Sequence, residues 1–237
     1  INLSTIKMIN KTITTDLFFD LDHTLWDFER NSKLTFKKIF SELKIQIPLA
    51  DFIKNYRPIN LYMWKKYREN VISQEELRYV RLKKTFDSLN KIVETKIIND
   101  ISELYIKYLS SYPHLFPGTI NVLNELSCRY NLHIITNGFK NIQYNKLESS
   151  GILNFFKNVF TSEDFGYKKP HPLIFKKALK VADARAGSAI MIGDNLEVDI
   201  LGSMQQGMQA IHFNSNKDPL HHHCIIIDNI DEILTFI

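Results

Sequence analysis

Six short apolar runs, free of polar alternation, constrain the fold of this chain more than any other feature. They are Leu17-Phe18-Phe19, Leu132-His133-Ile134-Ile135, Val159-Phe160, Ala189-Ile190-Met191-Ile192, Ala210-Ile211-His212-Phe213 and Ile225-Ile226-Ile227. Each has strand length, and most are separated by helix-length segments. A half-buried strand alternates apolar and polar residues, whereas a strand covered on both faces has no need to. The pattern therefore predicts a doubly wound, Rossmann-like α/β core around a parallel sheet. With 237 residues, of which 44% are hydrophobic and 24% charged, the chain can bury such a core without staples.

One stretch breaks the alternation. From about Asn31 to about Ser110 no strand run occurs, and apolar residues recur at spacings of three and four, as in Leu34, Ile39, Phe40 and Leu43, then Ile101, Leu104, Tyr105 and Tyr108. That periodicity signals amphipathic helices. The expected organisation is a core of residues 14–28 and 112–237 with an all-helical insertion over 29–111. The second edge, Pro113-His114-Leu115-Phe116-Pro117-Gly118, reads as a linker.

The charge and cysteine content exclude some classes of function. The net charge is +4 and the pI about 8.9, but lysines and arginines are interspersed with acids and form no dense basic run. A solvated surface is expected rather than a nucleic-acid polymer as partner, with room for a pocket that attracts an anion. Cys128 and Cys224 have no metal or redox spacing and read as buried, reduced thiols. No apolar run approaches the ~20 residues that span a bilayer, and the first fifteen residues lack the pattern of a secretory signal. The expectation is a cytoplasmic enzyme with Met8 as a natural start; whether residues 1–7 are native stays open.

In open α/β sheets ligands sit beyond the carboxyl ends of the strands, and four such ends carry reactive residues. The first run ends in Asp20, with Asp22 two residues on. Two acids at that spacing are expected to point alike and form a hard oxygen site suited to Mg²⁺, although turn capping would use an isolated Asp equally well. After Ile134-Ile135 come Thr136-Asn137-Gly138 and a helical pattern, where a hydroxyl and free backbone N–H groups can hold an anion; a plain Asn-Gly turn is the alternative. Lys168-Lys169-Pro170 presents lysine from a loop, and Pro172 suits a helix start. Ala189–Ile192 runs into Gly193-Asp194, with Asp199 five residues further; there Asp194 or Asn195 could instead serve as a helix N-cap.

The segment FFDLDHTLWD resembles the first motif, DxDxT, of the haloacid dehalogenase superfamily of phosphatases, and the other three segments follow in that superfamily's order. The resemblance implies roles. Asp20 attacks phosphorus and binds metal. Asp22 binds metal through its backbone carbonyl, while its side chain acts as general acid and then base. Thr136 donates its hydroxyl to a phosphate oxygen, and Asn137 offers its backbone N–H. Lys169, rather than Lys168, steadies the carboxylates and the phosphoryl group. Asp194 binds Mg²⁺, and Asp199 orients Lys169 or a metal-bound water. Thr24 and Gly193 are supporting members of their motifs. The true dehalogenases of the superfamily lack the carboxylate at position 22, because a halide leaves without a proton.

The helical insertion resembles that superfamily's first class of cap. Such caps close over the site and carry most of the substrate selectivity. Trp26, Trp64, Lys65, Arg68, Arg78 and Arg81 are the insertion's candidates for base or phosphate contacts, each with core or surface packing as the alternative. The order of segments is most similar to the pyrimidine 5′-nucleotidase-like branch, which implies a nucleoside 5′-monophosphate as substrate and a monomer or weak homodimer. A phosphomutase, a sugar-phosphate phosphatase, a 2-haloacid dehalogenase and a non-catalytic binding module are the competing readings. His221-His222-His223 reads as a surface turn.

Overall fold

The structure is a computed structural model that describes residues 9–11 and 13–237. The candidate start Met8 and residues 1–7 lie outside the described residues. Each of the six apolar runs is a strand: β1 (Asp16–Phe19), β2 (Asn131–Thr136), β3 (Asn158–Thr161), β4 (Ala189–Gly193), β5 (Gln209–Phe213) and β6 (Ile225–Ile227). They pair in the order β3-β2-β1-β4-β5-β6, and every pairing is parallel. All residues of β1 and β4 are buried, which is what a sheet covered on both faces requires.

The strand order reverses between β1 and β4. In a doubly wound sheet, the connections on either side of that point leave in opposite directions and open a crevice there. Register places the end of β1 beside the end of β4, with Phe19 opposite Ile192. One layer of the core joins Phe18, Ile135, Phe160 and Met191 of the strands to Ile174, Phe175 and Ala178 of a covering helix.

The helices are α1 (Phe28–Glu42), α2 (Leu49–Arg68), α3 (Gln74–Ser88), α4 (Thr95–Leu109), α5 (Thr119–Ser127), α6 (Lys140–Ser149), α7 (Ser162–Phe165), α8 (Pro172–Val181), α9 (Gly202–Met204) and α10 (Ile233–Phe236). Pro172 opens α8 at its first turn, where its missing N–H has no intrahelical partner to lose. A wide π-type turn, Leu196–Leu201, leads into α9.

The chain divides into two compact units: the chain up to Phe28 with Pro113–Ile237, and Glu29–Tyr112. The second unit is helical and has its own core. The ring of Phe36 lies 4.9 Å from Phe52 and 4.7 Å from both Tyr56 and Tyr105. Ser73 and Glu76 form a reciprocal capping box at the start of α3, which satisfies two of the N–H groups that a helix start leaves unpaired. Arg81 is buried in this unit, donating to Asn60 Oδ1 at 3.0 Å.

Two expectations are corrected. Trp26 belongs to the sheet unit, where it is fully buried, so it is not a residue of the helical insertion. Cys128 is exposed, because it caps the end of α5, where the chain has left the apolar face of the helix; Cys224 is buried. Of the histidine run, His221 stacks on His212 of β5 and pairs with it at 2.8 Å. No helix among the described residues is long and apolar enough to cross a membrane.

Candidate active site

β1 delivers Asp20 to the point where the strand order reverses. The backbone N–H of Asp20 still donates to Ile192 O, at 2.9 Å, so the carboxylate is held in sheet register one residue past the strand. Asp20 is buried, and its pKa is raised to about 7. Burial is the main cause; the Lys169 ammonium opposes it, and the charges of Asp199 and Asp22 add to it. Oδ1 accepts from Lys169 Nζ at 2.8 Å, while Oδ2 has no hydrogen-bond partner among the described residues.

Asp22 does not join the buried carboxylate cluster around Asp20. The chain turns over residues 23–25: Leu21 O accepts from both Leu25 N and Trp26 N, and His23 sits at φ 64°. The Asp22 carboxylate lies against α6, 2.6 and 2.8 Å from Lys146 Nζ and 3.0 Å from Gln143 Nε2. The buried carboxylate cluster consists instead of Asp20, Asp194 and Asp199, whose oxygens lie within 4.8 Å of one another.

β2 ends in Thr136. Its Oγ1 accepts from Gly138 N at 3.1 Å and from Gln143 Nε2 at 2.7 Å, which leaves its single hydrogen free to donate outward. The Asn137 side chain binds the Lys169 backbone at both ends, accepting from Lys169 N at 2.7 Å and donating to Lys169 O at 2.9 Å. Asn137 thereby locks the lysine loop to the end of β2. The Lys169–Pro170 peptide is cis.

Lys169, not Lys168, reaches the carboxylates. It is 1% exposed. Its ammonium donates to Asp20 Oδ1 and to Ile135 O at 2.6 Å, and lies 2.7 Å from Asp199 Oδ1. Two hydrogen bonds and one ion pair thus surround the ammonium. Burial works against its charge, but Asp199 and Asp20 outweigh that and hold its pKa above the ordinary value.

β4 supplies the last corner. Asp194 is buried, and its pKa stands well above the usual carboxylate range, first through burial and then through the charges of Asp199 and Asp20. Asn216 donates to its Oδ2 at 3.0 Å, and Thr24 Oγ1 lies 3.5 Å from its Oδ1. Asn195, rather than Asp194, caps the following turn by accepting from Val198 N. Gly193 has a steric reason: a Cβ there would lie 2.5 Å from Asp199 Oδ2 and 2.6 Å from its Cβ.

Three buried carboxylates against one ammonium leave a local excess of negative charge. A small hard cation with oxygen ligands matches that donor set, so these residues fit a divalent ion such as Mg²⁺. Lys146, Gln143 and the side-chain role of Asn137 did not emerge from sequence. Only packing reveals them: the buried residues of α6 are Gln143, Lys146 and Leu147, an oddly polar set for a helix packed on a sheet.

Residues 17–213 match the family model described as haloacid dehalogenase-like hydrolase. The chain is 30% identical over 201 residues to the pyrimidine 5′-nucleotidase YjjG of Escherichia coli, covering 84% of this chain and 86% of that protein. It is 31% identical over 229 residues to a glyceraldehyde 3-phosphate phosphatase of Methanothermobacter thermautotrophicus, covering 92% and 95%. The crystal structure of the HAD-hydrolase YfnB of Bacillus subtilis, bound to magnesium, superposes with a TM-score of 0.84 at 25% identity over 94% of this chain and 97% of that one.

Proposed function

The chain belongs to the haloacid dehalogenase-like hydrolase family and is a phosphoric monoester hydrolase of it; on that premise we propose that it hydrolyses small phosphate monoesters, nucleoside 5′-monophosphates foremost, through an aspartyl-phosphate on Asp20. The observation that carries the reading is the Asp20 carboxylate itself. One oxygen is pinned by Lys169, and the other has no hydrogen-bond partner among the described residues, at the reversal of the strand order.

In this reading Asp20 Oδ2 attacks phosphorus, and the bond from phosphorus to the ester oxygen breaks. Asp22 gives its proton to the departing oxygen. Thr136 donates to a phosphoryl oxygen with its unused hydrogen, and Lys169 holds the nucleophile in place. A water then attacks the acyl phosphate, Asp22 takes the water's proton, and Asp20 is released with inorganic phosphate. Asp20, Asp194 and the backbone carbonyl of Asp22 would hold Mg²⁺, which when bound supplies charge stabilisation to the phosphoryl oxygens. Asp199 keeps Lys169 aligned.

The helical unit Glu29–Tyr112 is read as the cap that selects substrate. The enzyme is placed in the cytoplasm, as a monomer or weak homodimer acting on a diffusible ester. The extended match to a glyceraldehyde 3-phosphate phosphatase supports a second reading, a sugar- or triose-phosphate substrate for the same site. Phosphate release from a panel of nucleotides and sugar phosphates, with and without Mg²⁺, decides between them. Asp20→Asn is expected to abolish release on every substrate, and near-wild-type turnover by that variant sinks the mechanism. A bisphosphate requirement with little free phosphate would mark a mutase instead.

A further inference from the structure

Lys146 is a poor candidate for an ordinary structural residue. It is 2% exposed, on a helix packed into the sheet unit, and burying an ammonium there is unfavourable unless its partner is held well. Its Nζ meets both oxygens of Asp22, at 2.6 and 2.8 Å, and lies 4.4 Å from the ring centre of the fully buried Trp26. Gln143, one turn earlier on the same face and wholly buried, donates to Asp22 Oδ2 and to Thr136 Oγ1. Gly138 keeps room for it, since a Cβ there would fall 1.8 Å from Gln143 Nε2. The two partners of the ion pair differ in exposure: the Lys146 side chain is 3% exposed and that of Asp22 is 23%. The clamp thus lies inside and leaves the carboxylate open on its outer side.

We propose that Gln143 and Lys146 are positioning residues that fix the Asp22 carboxylate relative to Thr136, and so set the efficiency of proton transfer to the leaving oxygen. The proposal rests on Asp22 being the acid of the reaction above. Lys146 fixes the carboxylate through both oxygens, and Trp26 fixes Lys146. Gln143 ties the acid to the hydroxyl that faces the phosphoryl group. In the phosphoryl-transfer step, which kcat/KM reports, an error in the aim of Asp22 matters only for leaving groups that need a proton; the later abstraction of the water's proton is common to all esters.

The experiment compares kcat/KM for an alkyl ester (a nucleoside 5′-monophosphate) and for 4-nitrophenyl phosphate, whose leaving group departs without help. The variants are Lys146→Met, Lys146→Arg, Gln143→Met and Asp22→Asn, each with a thermal melt. General acid catalysis contributes roughly 10²–10⁴-fold. Lys146→Met is therefore expected to lose at least roughly tenfold more on the alkyl than on the aryl ester, with Lys146→Arg recovering part of the alkyl rate. Gln143→Met gives the same split at smaller size and carries the test where Lys146→Met does not fold. Equal losses on both esters by the Lys146 and Gln143 variants, with Asp22→Asn still showing the split, overturn the clamp alone. An Asp22→Asn enzyme without the split overturns the acid assignment and the clamp with it.

Discussion

At Asp20, burial and the Lys169 ammonium pull in opposite directions, and burial prevails. Its pKa rises from 3.8 to about 7, so the folded state holds this proton more tightly than the unfolded chain does. The stability Asp20 contributes is therefore full below about pH 4 and lost as pH rises through about 7. Asp194 shifts in the same direction. The metal-free protein is expected to lose more melting temperature between pH 5 and pH 8 than Asp20→Asn does. Mg²⁺, by binding the charged carboxylates, should raise Tm more at pH 8 than at pH 5. Calorimetry with EDTA or Mg²⁺ measures both; identical pH slopes for the two proteins would refute the argument. His133 acts with the opposite sign at the other end of the sheet. Asn158 Nδ2 donates to its Nδ1, so Nε2 carries the hydrogen that Asp16 accepts. Burial lowers its pKa, and its contribution to stability is lost as pH falls below about 6.5. His133→Gln is expected to lessen the drop in Tm between pH 7 and pH 5.

At the scale of elements, the turn after β4 tolerates little change. Gly193→Ala drives a methyl into Asp199, which must then release Lys169 or distort the π-type turn. Overpacking of this kind costs about 1–3 kcal/mol, visible as a lower urea midpoint, with loss of turnover; an unchanged midpoint and rate would show that Asp199 does not need that space. The six strands were legible in the sequence because a run buried on both faces carries its own signature, and Asp20, Thr136, Lys169 and Asp194 stood out as candidates because each sits at the end of a strand or in the loop before a helix. The partners of the Asp22 carboxylate were not legible, since they lie on α6, 121 and 124 residues further along the chain. Gln143 and Lys146 are not legible in the sequence, because a helix face shows its partners only when packed. Trp26, apolar and near the edge of the insertion, carried no local sign of which unit it joins.

At the scale of the molecule, each unit has its own core, and the two can be perturbed separately. Phe52→Ala empties the aromatic cluster of the helical unit, at a cost of about 3–5 kcal/mol. Hydrogen exchange should then show lost protection across residues 29–112 while β1 and β4 keep theirs; an even loss over both would mean a single cooperative unit. The strand order carries a further consequence, one of timing. β1 pairs only with β2 and β4, and 170 residues separate Thr24 from Asp194. At about 5–20 residues per second, a ribosome takes roughly 10–30 seconds to travel that distance. The helical unit, contiguous in sequence and built from local contacts, can form during the wait. The segment Asp16–Phe19 has to remain unpaired on its β4 side until nearly the whole chain has emerged, so the strand that leads to Asp20, the proposed nucleophile, is also the one that waits longest for its second neighbour during synthesis.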